Sequence, residues 1–151
     1  MQPRDVRTAA DAKAIVEARG LTHIKVGVFD MDGVMRGKYM SRAKFLSALE
    51  GGFGFCDVVL GWDSNDQLYD NTSYTGWHTA YPDAPVRIVP DSCREIPFEA
   101  PGLLFLAEFA APADTVCPRG TLRWASPRPP VLEASPELEA LLAFYQVDTP
   151  A

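Results

Sequence analysis

Between residues 53 and 77 the chain runs for about twenty-five residues through Gly, Asp, Asn, Ser and aromatic side chains with neither helical nor strand periodicity, although the segments on both sides look regular. A compact domain seldom carries a stretch of that length merely as a connection. From Phe53-Gly54-Phe55-Cys56-Asp57 to Tyr69-Asp70-Asn71-Thr72-Ser73-Tyr74-Thr75-Gly76-Trp77 it reads as a functional loop whose partner is not evident from the chain itself.

Size and charge narrow the classes of function. With 151 residues and 47% hydrophobic content the chain builds one modest core, which points to a single domain and excludes a large two-domain enzyme. A net charge of −6 argues against a grip on phosphodiester backbones, which needs a clustered basic face, so nucleic acid is not an expected partner. No apolar run approaches the roughly 20 residues of a spanning helix, and the first residues lack the apolar segment of a secretory signal. No membrane association is expected, and the expected compartment is cytoplasmic. Cys56, Cys93 and Cys117 are widely spaced and odd in number, so neither a disulfide framework nor a cysteine metal site is expected.

Local signals order the elements. Thr8 followed by Asp11 resembles a capping box, residues 9–19 are good helix formers, and Gly20 sits at the C-cap position. Ile24, Val26 and Val28 alternate on one face of a strand. A tight turn at Met31-Asp32-Gly33 then leads into a second strand over 34–40, making a hairpin. Ser41 caps a second helix whose Phe45, Ala48 and Leu49 form an apolar stripe expected to lie on the hairpin, and Gly51-Gly52 stops it. After the long loop, residues 85–90 read as a short strand bounded by prolines, and Leu103–Phe109 as a central, buried one. That order suggests a small α+β domain with a helix packed on one sheet face, followed by an irregular C-terminal tail. From residue 124 the prolines of Pro127-Arg128-Pro129-Pro130 exclude a helix, and residues 137–145 carry a short amphipathic pattern that is stable only if docked. The expected division is an N-terminal helix over 1–20, a domain over 21–123 and a divergent proline-rich tail over 124–151.

Phe29-Asp30-Met31-Asp32-Gly33-Val34 follows an apolar strand and resembles the first motif of haloacid-dehalogenase-type phosphatases, in which the first aspartate attacks phosphorus. Such chemistry also needs a charge-balancing lysine, a downstream acidic pair and βα crossovers. The chain instead continues as a strand after Gly33, so the plainer reading is a hairpin turn.

A second resemblance spans residues 21–123. Residues 28–38, then Gly52-Phe53-Gly54-Phe55, Tyr69-Asp70, Gly76-Trp77, Tyr81-Pro82-Asp83 and Cys117-Pro118-Arg119 together resemble the N-terminal β-grasp domain of the glutamine synthetase family. The resemblance implies a β-grasp-like sheet with a packed helix. It also implies an enzyme family that forms γ-glutamyl phosphate from glutamate and ATP with Mg²⁺ or Mn²⁺ and lets an amine displace the phosphate. In that family the small domain lends its long loop to the active site of a neighbouring subunit, so the implied partner is a homo-oligomer or a full-length family subunit. Asp70 corresponds to the loop aspartate that binds and deprotonates ammonium, a role suited to a carboxylate. Trp77, with Ser73 beside it, corresponds to residues adjacent to substrate or nucleotide. Tyr69 and Asn71 depart from the commonest form of the motif and leave the acceptor open between ammonia and a larger amine. Asp57, Asp63, Asp66 and Asp83 read as turn caps and solvated charges, and Arg36 and Lys38 as ordinary strand charges.

The family's phosphate-binding arginines and histidine-bearing substrate loop have no counterpart here, and Glu137-Leu138-Glu139 only mimics its metal-binding pattern. A frameshifted, truncated or fragmentary product without the catalytic domain is therefore expected, with no metal or cofactor bound by the chain alone and with apolar residues left exposed. Two classes of function stand: a ligase component inactive by itself, and a non-catalytic β-grasp module that contacts another protein.

Overall fold

A computed structural model describes residues 1–69, 71–99 and 101–110 of the chain. The first helix, α1 (Ala9–Ala18), begins where Thr8 and Asp11 require it. The Thr8 hydroxyl accepts the Asp11 amide at 3.1 Å, and the Asp11 carboxylate accepts the Thr8 amide at 2.9 Å. This reciprocal cap satisfies amides that the first helical turn leaves without partners. Gly20, at φ +62°, turns the chain out of the helix.

Strands β1 (His23–Phe29) and β2 (Met35–Ser41) form the expected antiparallel hairpin, with Gly33 at φ +81° in the turn. Ser41 caps α2 (Arg42–Gly51). The helix stops at Gly52, where φ is +70° and an added Cβ would lie 2.6 Å from the Val86 carbonyl oxygen, so both backbone angle and space demand glycine. Three further strands follow: β3 (Phe53–Cys56), β4 (Asp83–Glu95) and β5 (Leu103–Phe109). The sheet order is β2-β1-β5-β4-β3, with β1 and β5 parallel and the other neighbours antiparallel. A mixed five-stranded sheet with two helices gives an α+β domain of β-grasp-like form.

One core joins the helices to a single sheet face. Ala12, Ile15 and Val16 of α1 and Phe45 and Ala48 of α2 are buried with Ile24, Val26, Val28, Leu103, Phe105 and Phe109. The sheet curls so strongly that its edges meet. Lys38 on β2 lies 5.2 and 4.9 Å from the ring centres of Phe53 and Phe55 on β3, and its ammonium donates to the Gly54 carbonyl at 3.3 Å. Far from being an ordinary strand charge, Lys38 closes the open side of the sheet.

Three expectations need correction. The aperiodic stretch is shorter than its composition suggests, because Phe53–Cys56 is a strand paired with β4 and Asp57–Leu60 is a 3₁₀ turn. The strand at 85–90 runs through both prolines, from residue 83 to 95. Pro85 faces the end of β5, where its carbonyl accepts the Ala110 amide at 2.8 Å, so its missing N–H leaves no ladder acceptor unpaired. Pro90 falls at the register shift between Val89 and Arg94, where the Ser92 hydroxyl takes the Leu106 amide in place of a backbone acceptor. Finally, the α2 stripe packs across the sheet instead of the hairpin alone: Phe45 meets Phe105 of β5 at a ring separation of 4.8 Å. Residues 111–151, with the boundary at 123, the proline-rich tail and the pattern at 137–145, lie outside the described residues.

Candidate functional site

Everything between β3 and β4 hangs from two pinned ends. The Asp57 amide donates to the Pro82 carbonyl at 3.0 Å, and the Cys56 thiol donates to the Tyr81 carbonyl at 3.3 Å, so residues 57 and 82 close the base of the loop. Inside it the wholly buried Thr75 hydroxyl donates to the Asp57 carboxylate at 2.6 Å. Asp57 is only 4% exposed, which corrects its reading as a solvated charge: it is an internal anchor for the far half of the loop. Thr72 donates to the Thr75 carbonyl, and Thr79 both donates to the Gly76 carbonyl at 2.9 Å and accepts the Gly76 amide at 3.1 Å. A polar lattice of threonines thus holds the backbone on either side of Trp77 without help from sheet or helix.

Trp77 itself is 80% exposed, its indole standing edge-on to Tyr81 at 5.5 Å. Ser73 is also exposed, and its carbonyl lies 3.3 Å from Nε2 of His78. Both residues face solvent on the same anchored stretch. Asp70 lies outside the described residues. Ala80 and Tyr81 adopt φ of +58° and +50°, a left-handed pair of non-glycine residues of the kind that surrounding contacts must hold in place.

The near half of the loop, residues 61–69, folds on itself. Trp62 and Leu68 form an isolated antiparallel bridge, the Tyr69 amide donates to the Gly61 carbonyl at 2.8 Å, and the Asp63 carboxylate caps the amides of Asn65 and Gln67 at 2.8 and 2.9 Å. Asp63 is thus the turn cap its spacing suggested. Burial raises the Tyr69 hydroxyl above its ordinary range, with the charges of Asp32, Asp63 and Asp30 adding to the effect.

Arg36 joins this unit to the sheet. Its Nε donates to the Asp30 carboxylate at 2.8 Å, Nη1 pairs with Asp66 at 2.6 Å, Nη2 donates to the Asp63 carbonyl at 3.3 Å, and the guanidinium lies 4.9 Å from the Trp62 ring centre. The bond to Asp30, ahead of the pairing with Asp66, holds the Arg36 proton more firmly than usual. Asp30 is fully buried and also accepts the amides of Asp32 and Val34, at 3.0 and 2.8 Å. The phosphatase resemblance fails at this point. A carboxylate that is sealed from solvent and has its oxygens engaged by two amides and a guanidinium is a hairpin staple, not a nucleophile.

Reading Arg36 as an ordinary strand charge missed this cluster, but a signal for it existed. The hairpin register sets Arg36 opposite Val28 and Lys38 opposite Val26, and cross-strand partners share a face, which here is the core face. Thr75 and Asp57, eighteen residues apart, offered no such periodic clue. Among the described residues no group of three or more His, Cys, Asp or Glu side chains converges to hold a metal ion. No helix among them is long and apolar enough to cross a membrane.

No family model matches the chain. Among curated proteins, the type-1 glutamine synthetase 2 of Dictyostelium discoideum is 44% identical over 103 residues, covering 66% of this chain. The glutamate–isopropylamine ligase of a Pseudomonas species is 32% identical over 92 residues, covering 60%. The chain spans about a fifth of the length of each, 20% in both cases. A solved GmaS/ADP complex overlays with a TM-score of 0.48 at 16% identity over 65% of this chain and 20% of that one, a likeness too slight to build on. At 44% identity over 103 residues, that portion of the chain is related in sequence to proteins of the glutamine synthetase family.

Proposed function

We propose that this chain is the loop-bearing small domain of an ATP-dependent glutamate–amine ligase. It lends the loop between β3 and β4 to an active site completed by a catalytic domain of glutamine synthetase type, and it makes no amide alone. The observation that carries this reading is the identity of 44% to a glutamine synthetase over a portion that includes the anchored loop, combined with a Trp77 displayed at 80% exposure. A large indole held in water on a fixed backbone suits a surface that another domain covers. In this reading Asp70 receives the acceptor's proton, Ser73 and Trp77 border substrate or nucleotide, and the work is done in the cytoplasm.

ATP and its Mg²⁺ or Mn²⁺ belong to the completed site. The described residues present no converging set of metal ligands. What the chain's own residues do is orient. Thr75 on Asp57 and the left-handed pair at 80–81 hold the Trp77 stretch, and the Arg36 cluster holds residues 61–69.

Exposed Trp77 and Phe98 also suit the second reading, an interaction module without catalysis. Sedimentation of the chain with the Dictyostelium relative, shortened by the fifth that this chain matches, separates the outcomes. Co-assembly that is lost in Trp77→Ala is expected; independent migration of the two proteins would contradict the proposal.

A further inference from the structure

The unit 61–69 is closed by its own bonds, and a closed unit takes its orientation from contacts made outside it. Those contacts converge on the β1–β2 turn. The Ser64 amide donates to the Asp32 carboxylate at 2.8 Å, and further ties pass through Arg36. One edge of its guanidinium grips Asp30 in the turn, while its other two nitrogens and its face take Asp66, the Asp63 carbonyl and the Trp62 ring in the unit. Trp62 stays in that stack although its indole N–H is buried without a partner, a loss that the contact with Arg36 must offset. The guanidinium is planar and rigid, so four groups from two segments are fixed relative to one another in a way a lysine ammonium cannot reproduce.

We infer that Arg36 is a positioning residue: it sets the pose of residues 61–69 on the sheet. Resting on the ligase reading above, in which Asp70 follows this unit in sequence and receives the acceptor's proton, this places the effect of Arg36 on the acceptor amine; Ser73 and Trp77, which border substrate or nucleotide in that reading, lie on the stretch held separately by Thr75 and Asp57.

Arg36→Lys keeps the charge and removes the fork. Asp66→Asn removes only the solvent-facing half of the clamp, leaves the buried Asp30 paired, and tolerates the φ of +62° at that position. Amide hydrogen exchange on the isolated chain is the first measurement. In both variants the amides of Ser64, Gln67 and Tyr69 should exchange on the order of tenfold faster while those of Val26 and Phe105 keep their wild-type rates. A uniform rise across the sheet, or no change in the loop, would overturn the inference. The second measurement is kinetic, in a mixture of the chain with the shortened relative. KM for the amine should rise on the order of tenfold with KM for ATP and for glutamate unchanged, since a small misplacement of a positioning element costs rate or affinity at the group it serves. An equal rise in all three would overturn the inference. A wild-type mixture that makes no product would count against the ligase reading alone, and the exchange rates would still decide the role of Arg36.

Discussion

At Asp30 a motif that resembles a phosphatase nucleophile proves to be a structural staple, and the difference lies in what the carboxylate faces. Its oxygens meet two amides and Arg36 in a site without solvent, where an uncompensated charge is costly. Asp30→Ala should destabilise the fold by about 3–5 kcal/mol in urea unfolding, the usual loss when one partner of a buried pair is removed; a change under about 1 kcal/mol would refute the staple. The Asp11 carboxyl is held below its ordinary value of 3.8, first by the Thr8 hydroxyl and then by the Thr8 and Arg7 amides. A depressed folded value means that the cap's contribution is complete above pH 3.8 and is lost as pH falls through the folded value. Thr8→Ala should therefore flatten the acid limb of the stability curve, measured by thermal melts between pH 5 and pH 2. Burial pushes the Cys93 thiol up to about 12, so at pH 8 it is protonated and sealed. Iodoacetamide at that pH should modify Cys93 only in denaturant, as read by peptide mass. At this scale the sequence was readable where partners are three or four residues apart, as in Thr8 with Asp11. It was opaque where they are far apart, as in Arg36 with Asp63 and Asp66 or Asp57 with Thr75, because no local spacing records a meeting made by the fold.

Elements were legible in proportion to how locally they are specified. The cap of α1, the alternation of β1, the Gly33 turn and the apolar run of β5 each carry their own signal, and each stands where that signal places it. β3 does not: four residues with a glycine among them have no usable periodicity, and only pairing with β4, from Phe53 with Val86 to Cys56 with Asp83, makes them a strand. β4 was cut short for a related reason, since prolines end an isolated strand but are harmless where the neighbour has ended or the register shifts. The packing of α2 tests this element-level picture. Phe45 is wholly buried against Phe105, so Phe45→Ala should cost about 3–5 kcal/mol with an unchanged denaturant m-value. A loss near 1 kcal/mol would mean that the helix rests on the hairpin instead of the sheet centre.

Among the described residues, the sheet closes on itself and leaves the anchored loop between β3 and β4 at the surface. Lys38 seals the two sheet edges, the threonine lattice fixes Trp77, and Arg36 fixes the segment before it. Met31, Val34, Met35, Leu68 and Phe98 join Trp77 among the exposed large apolar residues. The relation to glutamine synthetases was readable from motif order. The means by which the loop is held were not, because they depend on contacts between segments that only the folded chain brings together. The most direct test is amide synthesis from glutamate, ATP and an amine by three samples: the chain alone, the shortened Dictyostelium relative alone, and their mixture, each with Mg²⁺ and with the Asp70→Asn variant as control. Product in the mixture only, abolished by Asp70→Asn, is the expected result. Product from the chain alone, or a mixture no more active than the shortened relative, would contradict the role proposed for this loop.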